Sequence, residues 1–241
     1  MVWVTGASTG IGRDIALRLA AEGVTVAASA RSADKLAALG ANIRAYPVDV
    51  GDAEAVKAVV ERIEADLGPI DLAIFAAAAY APVDPVEIDT KLFSGIMHTN
   101  YMGVVHGLAA LLPRMLARKA GHLSWFASVA GYRGLPKAAA YGPTKAALIN
   151  LAECLKPELA RKGVAVSVIN PGFVETPLTA GNDFPMPFLM KPDDAARLTI
   201  AGLKKGRFEI AYPWQFVTIL KIARLLPYRL FFKLIDKAVL K

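Results

Sequence analysis

The chain has 241 residues, 55% of them hydrophobic, which suits one α/β domain with a large core. One cysteine, Cys154, excludes an intramolecular disulfide and points to a reducing compartment; with the scattered His98, His106 and His122 it offers no metal-ligand spacing, so no metal is expected. The net charge of +7 sits in residues 204–241, which hold nine Lys/Arg and two Asp/Glu while the rest balances to zero, so a general nucleic-acid surface is excluded.

The N-terminus reads as a strand entering a glycine loop rather than as a signal peptide, and no uncharged apolar run reaches the roughly 18 residues of a membrane span. Val2-Trp3-Val4-Thr5 is that first strand. It feeds Thr5-Gly6-Ala7-Ser8-Thr9-Gly10-Ile11-Gly12, then a helical stretch ending near Gly23. Strand, glycine loop and helix together form a dinucleotide site, because glycine lets backbone approach a pyrophosphate and the helix N-terminus favours the anion. The glycine spacing is GxxxGxG, not the usual GxGxxG.

Val24 to Ala30 reads as a second strand, ending at Ala30-Arg31-Ser32. A free ribose 2′-OH is usually held by an acid at this point. None is present, and Arg31 instead suits a 2′-phosphate. The ordinary alternative is a solvated arginine at a helix start, where the helix dipole does not favour it.

Ile43 to Val48 is a third strand, followed by Asp49-Val50, and Gly51 to Leu67 is an amphipathic helix stopped by Gly68-Pro69. Asp71 to Phe75 is a fourth strand, running into four alanines, Ala76 to Ala79. Asp89 to Leu116 is a long helical stretch, apolar on several faces, with Asn100 inside it where asparagine is unfavourable without a reason. Gly121 to Ala127 is a fifth strand, and Ser128 follows. A helix from about Ala140 to Lys162 contains Pro157, which should kink it. Val164 to Ile169 is a sixth strand, ending at Asn170-Pro171-Gly172. An apolar loop rich in proline and methionine comes next, then a helix from Asp193 to Leu203 and a last strand from Arg207 to Ala211.

Tyr141 and Lys145 stand four apart in Tyr141-Gly142-Pro143-Thr144-Lys145, so on a helix they share a face. Pro143 is tolerated only if that helix is just starting. A free tyrosine has a pKa of about 10, and bringing it near 7 takes about 4 kcal/mol of preference for the phenolate. A fixed ammonium in a water-poor cleft is a group of the right kind to supply much of that. The ordinary reading of an isolated pair is an interfacial tyrosine beside a solvated lysine.

Strands alternating with helices imply a single doubly wound, Rossmann-like parallel sheet, with residues 1–212 as the catalytic unit and 213–241 as a helical extension. The glycine loop, Arg31, Asp49, Ala76 to Ala78, Ser128 and Pro171-Gly172 each follow a strand's C-terminal end, the edge where such sheets bind ligands.

With these residues in hand, the chain resembles the short-chain dehydrogenase/reductase family. The resemblance rests on Thr5-Gly-Ala-Ser-Thr-Gly10-Ile-Gly12, Asp49-Val50, Asn100, Ser128, Tyr141-xxx-Lys145 and Pro171-Gly172 with Thr176. It implies Tyr141 as acid/base and Lys145 as the group that lowers its pKa and binds the nicotinamide ribose. Ser128 would bind the substrate oxygen, and Asn100 would hold a water in a relay to Lys145. The cofactor residues implied are Gly6, Ser8, Thr9, Gly10, Ile11, Gly12, Arg31, Asp49, Val50, Ala76, Ala77, Tyr141, Lys145, Pro171, Gly172, Val174 and Thr176, with Asp49 on adenine. Two departures stand out. The family often has Asn-Asn-Ala-Gly where this chain has Phe75-Ala76-Ala77-Ala78, so the bracing those asparagines give must come from elsewhere. Thr9 occupies a position often basic in NADP-dependent members, which leaves Arg31 more of the discrimination.

The expected activity is hydride transfer between NADP(H), with NAD(H) possible, and a hydrophobic ketone or aldehyde or the matching alcohol. A cofactor-binding sensor or scaffold without turnover would lack Tyr141, Lys145 or Ser128, and all three are present. A homodimer or homotetramer in the cytoplasm is expected, since the family commonly pairs the helices around Leu92–Leu108 and Ala146–Leu151. The tail from Trp214 to Lys241 reads as two helices broken at Pro227. In the second, Phe231, Leu234, Ile235 and Ala238 form one apolar face, widened by Phe232 and Val239, and Arg229, Lys233 and Lys237 form a basic one. That pattern fits a helix lying on an anionic membrane surface, or one packed on its own subunit or a neighbour with its lysines solvated.

Overall fold

Short β-branched runs alternating with longer amphipathic ones become, in the computed structural model of the protein, a parallel sheet covered on both faces. The structure describes residues 1–239. Leu240, Lys241 and the side chains of Ala238 and Val239, two of which enter the sequence reading of the tail, lie outside the described residues.

The strands are β1 (Val2–Thr5), β2 (Val26–Ser29), β3 (Ile43–Ala45), β4 (Leu72–Phe75), β5 (Gly121–Phe126), β6 (Val164–Pro171) and β7 (Glu209–Tyr212). They lie in the order β3-β2-β1-β4-β5-β6-β7, and every neighbouring pair is parallel. The chain winds one way from β1 to β3 and the other way from β4 to β7. This is the doubly wound sheet that the sequence implies, and it opens a crevice at the strands' C-terminal ends between β1 and β4.

One face carries α1 (Gly10–Ala21), α2 (Ala33–Ala37) and α7 (Pro192–Lys204), packed through Ile15, Leu19, Leu36 and Ile200 onto Val2 and Val4. The other carries α3 (Ala53–Leu67), α5 (Gly103–Arg118) and α6 (Gly142–Ala160), packed through Val60, Leu111 and Leu148 onto Trp3 and Trp125. Successive residues of β1 thus serve opposite cores, as the pleat requires. Each aliphatic side chain fully buried this way contributes about 1.5–3 kcal/mol. The two buried indoles keep their N–H groups satisfied: Trp3 donates to Ser29 Oγ and Trp125 to Leu148 O, both at 2.9 Å. Asp52 caps α3 by accepting the Ala55 N–H at 3.0 Å.

The long helical stretch is one continuous rod in three parts: α4 (Thr90–Met97), a wider turn of π-helix (His98–Met102), then α5. The Gly103 N–H reaches back five residues to His98 O. Asn100 sits in that turn, fully buried. Helix α6 begins at Gly142 with Pro143 in its first turn, as the proline demands, and continues past Pro157 for less than one turn, to Ala160. Phe75 meets Trp3 edge-on at 5.6 Å and fills the space in front of Gly107, where any added Cβ would collide with its ring. After β7 the chain forms α8 (Trp214–Leu225) and α9 (Tyr228–Val239), separated at Pro227.

Candidate active site

The glycine loop between β1 and α1 is built from backbone contacts that leave no room for side chains. Gly6 is left-handed (φ +68°), and a Cβ there would stand 2.6 Å from the Ala76 carbonyl carbon and the Ala77 nitrogen. A Cβ on Gly12 would stand 2.5 Å from Gly6 O. The loop after β4 therefore presses directly on the loop after β1. The helix α1 that follows has no side-chain cap at Thr9, so its first-turn amides are available to an anion. Thr176, from the loop after β6, closes over Gly10, with its methyl 3.0 Å from where a Cβ would be.

These loops enclose a cleft of about 560 Å³. Gly6, Ser8, Thr9, Gly10, Ile11 and Gly12 line its floor. Arg31, Asp49 and Val50 line one end, and Ala76 and Ala77 the middle. Tyr141, Lys145, Pro171 and Thr176 line the other side. The cradle around Gly6 and Gly12, with uncapped amides above it, fits the pyrophosphate of a dinucleotide. At the Arg31 end, Asp49 accepts the Gly51 N–H at 2.9 Å. Two of the scattered histidines hold this wall: His98 donates to Gly51 O and His106 to Val50 O, each at 2.9 Å.

Two implied cofactor residues are not on the cleft lining. Gly172 donates to Tyr212 O at 2.7 Å and lies against Phe216, so it faces the core side of the loop. Val174 is buried and bridges to Met190. In their place the structure brings in Ser32 and Lys35. Ser32 caps α2 by accepting the Lys35 N–H at 3.4 Å, which puts a second cation one turn beyond Arg31. The basic group absent at Thr9 is thus matched by one at Lys35.

Tyr141 stands at the N-terminal end of α6, and its carbonyl accepts the Thr144 and Lys145 N–H groups at 3.0 and 3.2 Å. Lys145 is buried, donates to Phe126 O at 2.8 Å, and holds its ammonium nitrogen 5.2 Å from the centroid of the Tyr141 ring. Burial drives each group toward its neutral form and so moves the two pKa values apart: it pushes the Tyr141 hydroxyl well above the ordinary tyrosine value, and the Lys145 ammonium down to about 7. The group that works downward on Tyr141 here is the Ser128 hydroxyl, not Lys145. Ser128, two residues past β5, accepts the Ala130 N–H at 3.1 Å and donates to Pro171 O at 3.3 Å. Tyr80 packs edge-on against Tyr141 at 5.2 Å.

Asn100 lies behind the cleft wall, and Ser128, also buried, stands beside the Tyr141 hydroxyl. Asn100 accepts the Ala79 N–H at 2.7 Å and donates to Ala79 O at 3.0 Å and Thr144 Oγ1 at 3.1 Å. Thr144 in turn donates to Tyr141 O at 2.7 Å. The side chain of Asn100 is therefore taken up in tying the alanine loop to the first turn of α6. It supplies bracing that this chain lacks at Phe75 and Ala76.

Proteins of known sequence and structure resemble this chain. The short chain dehydrogenase family matches residues 1–184. An uncharacterized oxidoreductase of Myxococcus xanthus is 40% identical over 235 residues, 95% of this chain and 93% of that protein. An alcohol dehydrogenase of Thermococcus sibiricus, complexed with 5-hydroxy-NADP, is 26% identical, with a TM-score of 0.78 over 88% of this chain and 94% of its own. A short chain dehydrogenase/reductase of Burkholderia phymatum in complex with NAD, 24% identical, shares the fold at a TM-score of 0.85 over 92% of each chain. The match across more than half of its length, on a parallel sheet with this glycine loop, shows that the chain belongs to the short-chain dehydrogenase/reductase family of oxidoreductases.

Proposed function

We propose that the protein is an NADPH-preferring reductase of a hydrophobic ketone or aldehyde, or the reverse alcohol dehydrogenase, with residues 1–212 as its catalytic unit. The observation that carries the reading is the shared cleft, in which Tyr141 and Lys145 line the same cavity as the glycine loop. When bound, the nicotinamide would supply the hydride chemistry. Tyr141, which burial keeps protonated, gives its proton to the carbonyl oxygen, and Ser128 donates a hydrogen bond to that oxygen. Lys145, on the same cleft wall, would hold the ribose and take on positive charge beside the anionic cofactor. Asn100 positions the Ala79 loop and the first turn of α6; with its side chain so occupied, a water relaying protons to Lys145 would rest on its backbone carbonyl.

Arg31 and Lys35 at one end of the cleft, with no acid at Ala30, favour the 2′-phosphate. The aromatic surroundings of the loop after β6 favour an apolar substrate: Phe173 stacks on Phe216 at 5.5 Å and meets Phe184 at 6.1 Å. The half-buried Leu92, Phe93, Val105 and Leu151 on α4, α5 and α6 favour a homodimer or homotetramer, read by light scattering at micromolar concentration.

The test is turnover of a panel of apolar ketones and aldehydes with NADPH and with NADH. NADPH should be used preferentially. Tyr141→Phe should still bind NADPH but turn over roughly 10²–10⁴-fold more slowly. Normal turnover by Tyr141→Phe would refute the mechanism.

A further inference from the structure

Helix α8 is apolar outward as well as inward. Its inner residues Phe216, Val217, Leu220 and Ala223 are buried. The opposite side carries Trp214, Ile219, Ile222 and Leu225, exposed at 72%, 50%, 58% and 84%. A helix lying on its own domain normally carries charge there. Helix α9 extends the surface: Phe231 is buried, while Tyr228, Leu230, Phe232 and Leu234 are exposed. Arg229, Lys233 and Lys237, spaced i, i+4, i+8, are exposed away from Phe231, between Tyr228 and Phe232 on one flank and Leu230 and Leu234 on the other. An apolar exposure of this extent marks an interaction site.

The surface is held in shape. Arg133, five residues after Ser128, donates to the carbonyls of Ala223, Leu226 and Arg224 at 2.7, 2.8 and 2.9 Å, which closes the end of α8. The same guanidinium lies over the Phe231 ring, 4.0 Å from its centroid, and pins α9. The loop after β6 reaches the edge of the surface. Phe188 and Leu189 are 44% and 45% exposed, and Phe188 packs on Phe216 at 6.2 Å.

We propose that the outer face of α8 and α9 docks on an anionic lipid bilayer, its apolar side chains at headgroup depth and Arg229, Lys233 and Lys237 against lipid phosphates. Charge selects this occupant over a second copy of the chain. Residues 214–237 hold five Lys/Arg and one acid, Asp236, so two such faces across a two-fold axis would oppose like charges. Trp214 and Tyr228 at the rim have the apolar body and polar tip suited to a membrane boundary. Among the described residues no helix is long and apolar enough to cross a membrane, so the contact lies along the surface.

The chain carries its own reporter. Trp3 and Trp125 are fully buried, so a change in tryptophan emission on vesicle binding reports Trp214. The full chain should sediment with vesicles of phosphatidylcholine containing phosphatidylglycerol at low salt, with Trp214 emission moving to shorter wavelength, and should release at high salt. The double variant Lys233→Glu, Lys237→Glu should lose about tenfold or more in vesicle affinity. The double variant Ile222→Ser, Phe232→Ser should lose the emission shift. Both pairs are exposed, so turnover in the absence of vesicles should stay unchanged and reports that the fold is intact. Deleting the tail after Pro213 is not equivalent, because it strips Phe216 from Phe173. If the unaltered chain neither sediments nor shifts with the anionic vesicles at low salt, the proposal is overturned. It is also overturned if Trp214 is already shielded without lipid and the Ile222→Ser, Phe232→Ser variant halves the mass in light scattering. The sedimentation, emission and mass readouts require no substrate, so they stand or fall separately from the reductase reading.

Discussion

At Gly6 and Gly12 the chain meets itself backbone to backbone, whereas beyond β6 it meets itself through aromatic rings. On the glycine side the nearest atoms are carbonyls and amides that cannot move without moving a strand. On the other side Phe173, Phe184, Phe188 and Phe216 interlock through faces and edges at 5.5–6.2 Å. A backbone contact at that range is all or none, while rings turn and repack at modest cost. The nucleotide wall is therefore fixed by sterics, and the wall beyond β6 can change its side chains without changing its path.

The sharpest way to break this contrast is a methyl group at Gly6. Gly6→Ala combines a left-handed φ with overlap on the Ala76–Ala77 backbone, and should destabilise by about 3–5 kcal/mol in urea denaturation. Next comes Arg31→Ala, which should weaken NADPH binding by about 1–3 kcal/mol in fluorescence titration while leaving NADH alone. Equal NADPH and NADH affinities in the unaltered chain would rule that assignment out. Phe216→Leu, on the adaptable wall, should lower stability by only about 1 kcal/mol and should shift KM between substrates rather than abolish turnover. Were it as damaging as Gly6→Ala, the two walls would not differ in kind.

The smallest effect is a proton. Lys145 in the free protein is pushed down to about 7 by burial, so above that pH it is mainly neutral. An anionic dinucleotide favours the ammonium and raises that value. Binding near pH 8 should then take up at most about one proton, and the uptake should fade as pH drops through about 7, where the group is already charged. Calorimetry in buffers of different ionisation enthalpy reads this directly, and Lys145→Met should remove it.

The same contrast explains what a reader of the sequence can see. Glycines at fixed offsets after a strand, and a tyrosine and lysine one helical turn apart, are local patterns, and Gly6, Gly12, Tyr141 and Lys145 all line the cleft. Buried asparagine in a helix is a local anomaly, and Asn100 marks the π-helical turn that holds Ala79. The aromatic wall has no such signature, because Phe173 and Phe216 lie far apart in the chain and meet only after β7 is in place. Gly172 follows β6 where a cofactor loop is expected, and only the structure shows that a Cβ there would meet Phe216 at 2.9 Å. Lys35 is an exposed charge on a five-residue helix, and nothing in its immediate sequence separates it from an ordinary solvated lysine.

Phe75 and Gly107 carry a consequence for how this chain can diverge. The phenyl ring occupies the volume that any side chain at residue 107 would need. The two positions are therefore epistatic, and the order of substitution decides survival. Gly107→Ala arising first meets the ring and is purged; arising after Phe75 has become a smaller residue, it fills the vacated space. Phe75→Asn arising first leaves a hollow beside Trp3, a loss that Gly107→Ala then partly restores. In a mutational library the pair should appear as a ridge crossed in one direction only, from residue 75 to residue 107.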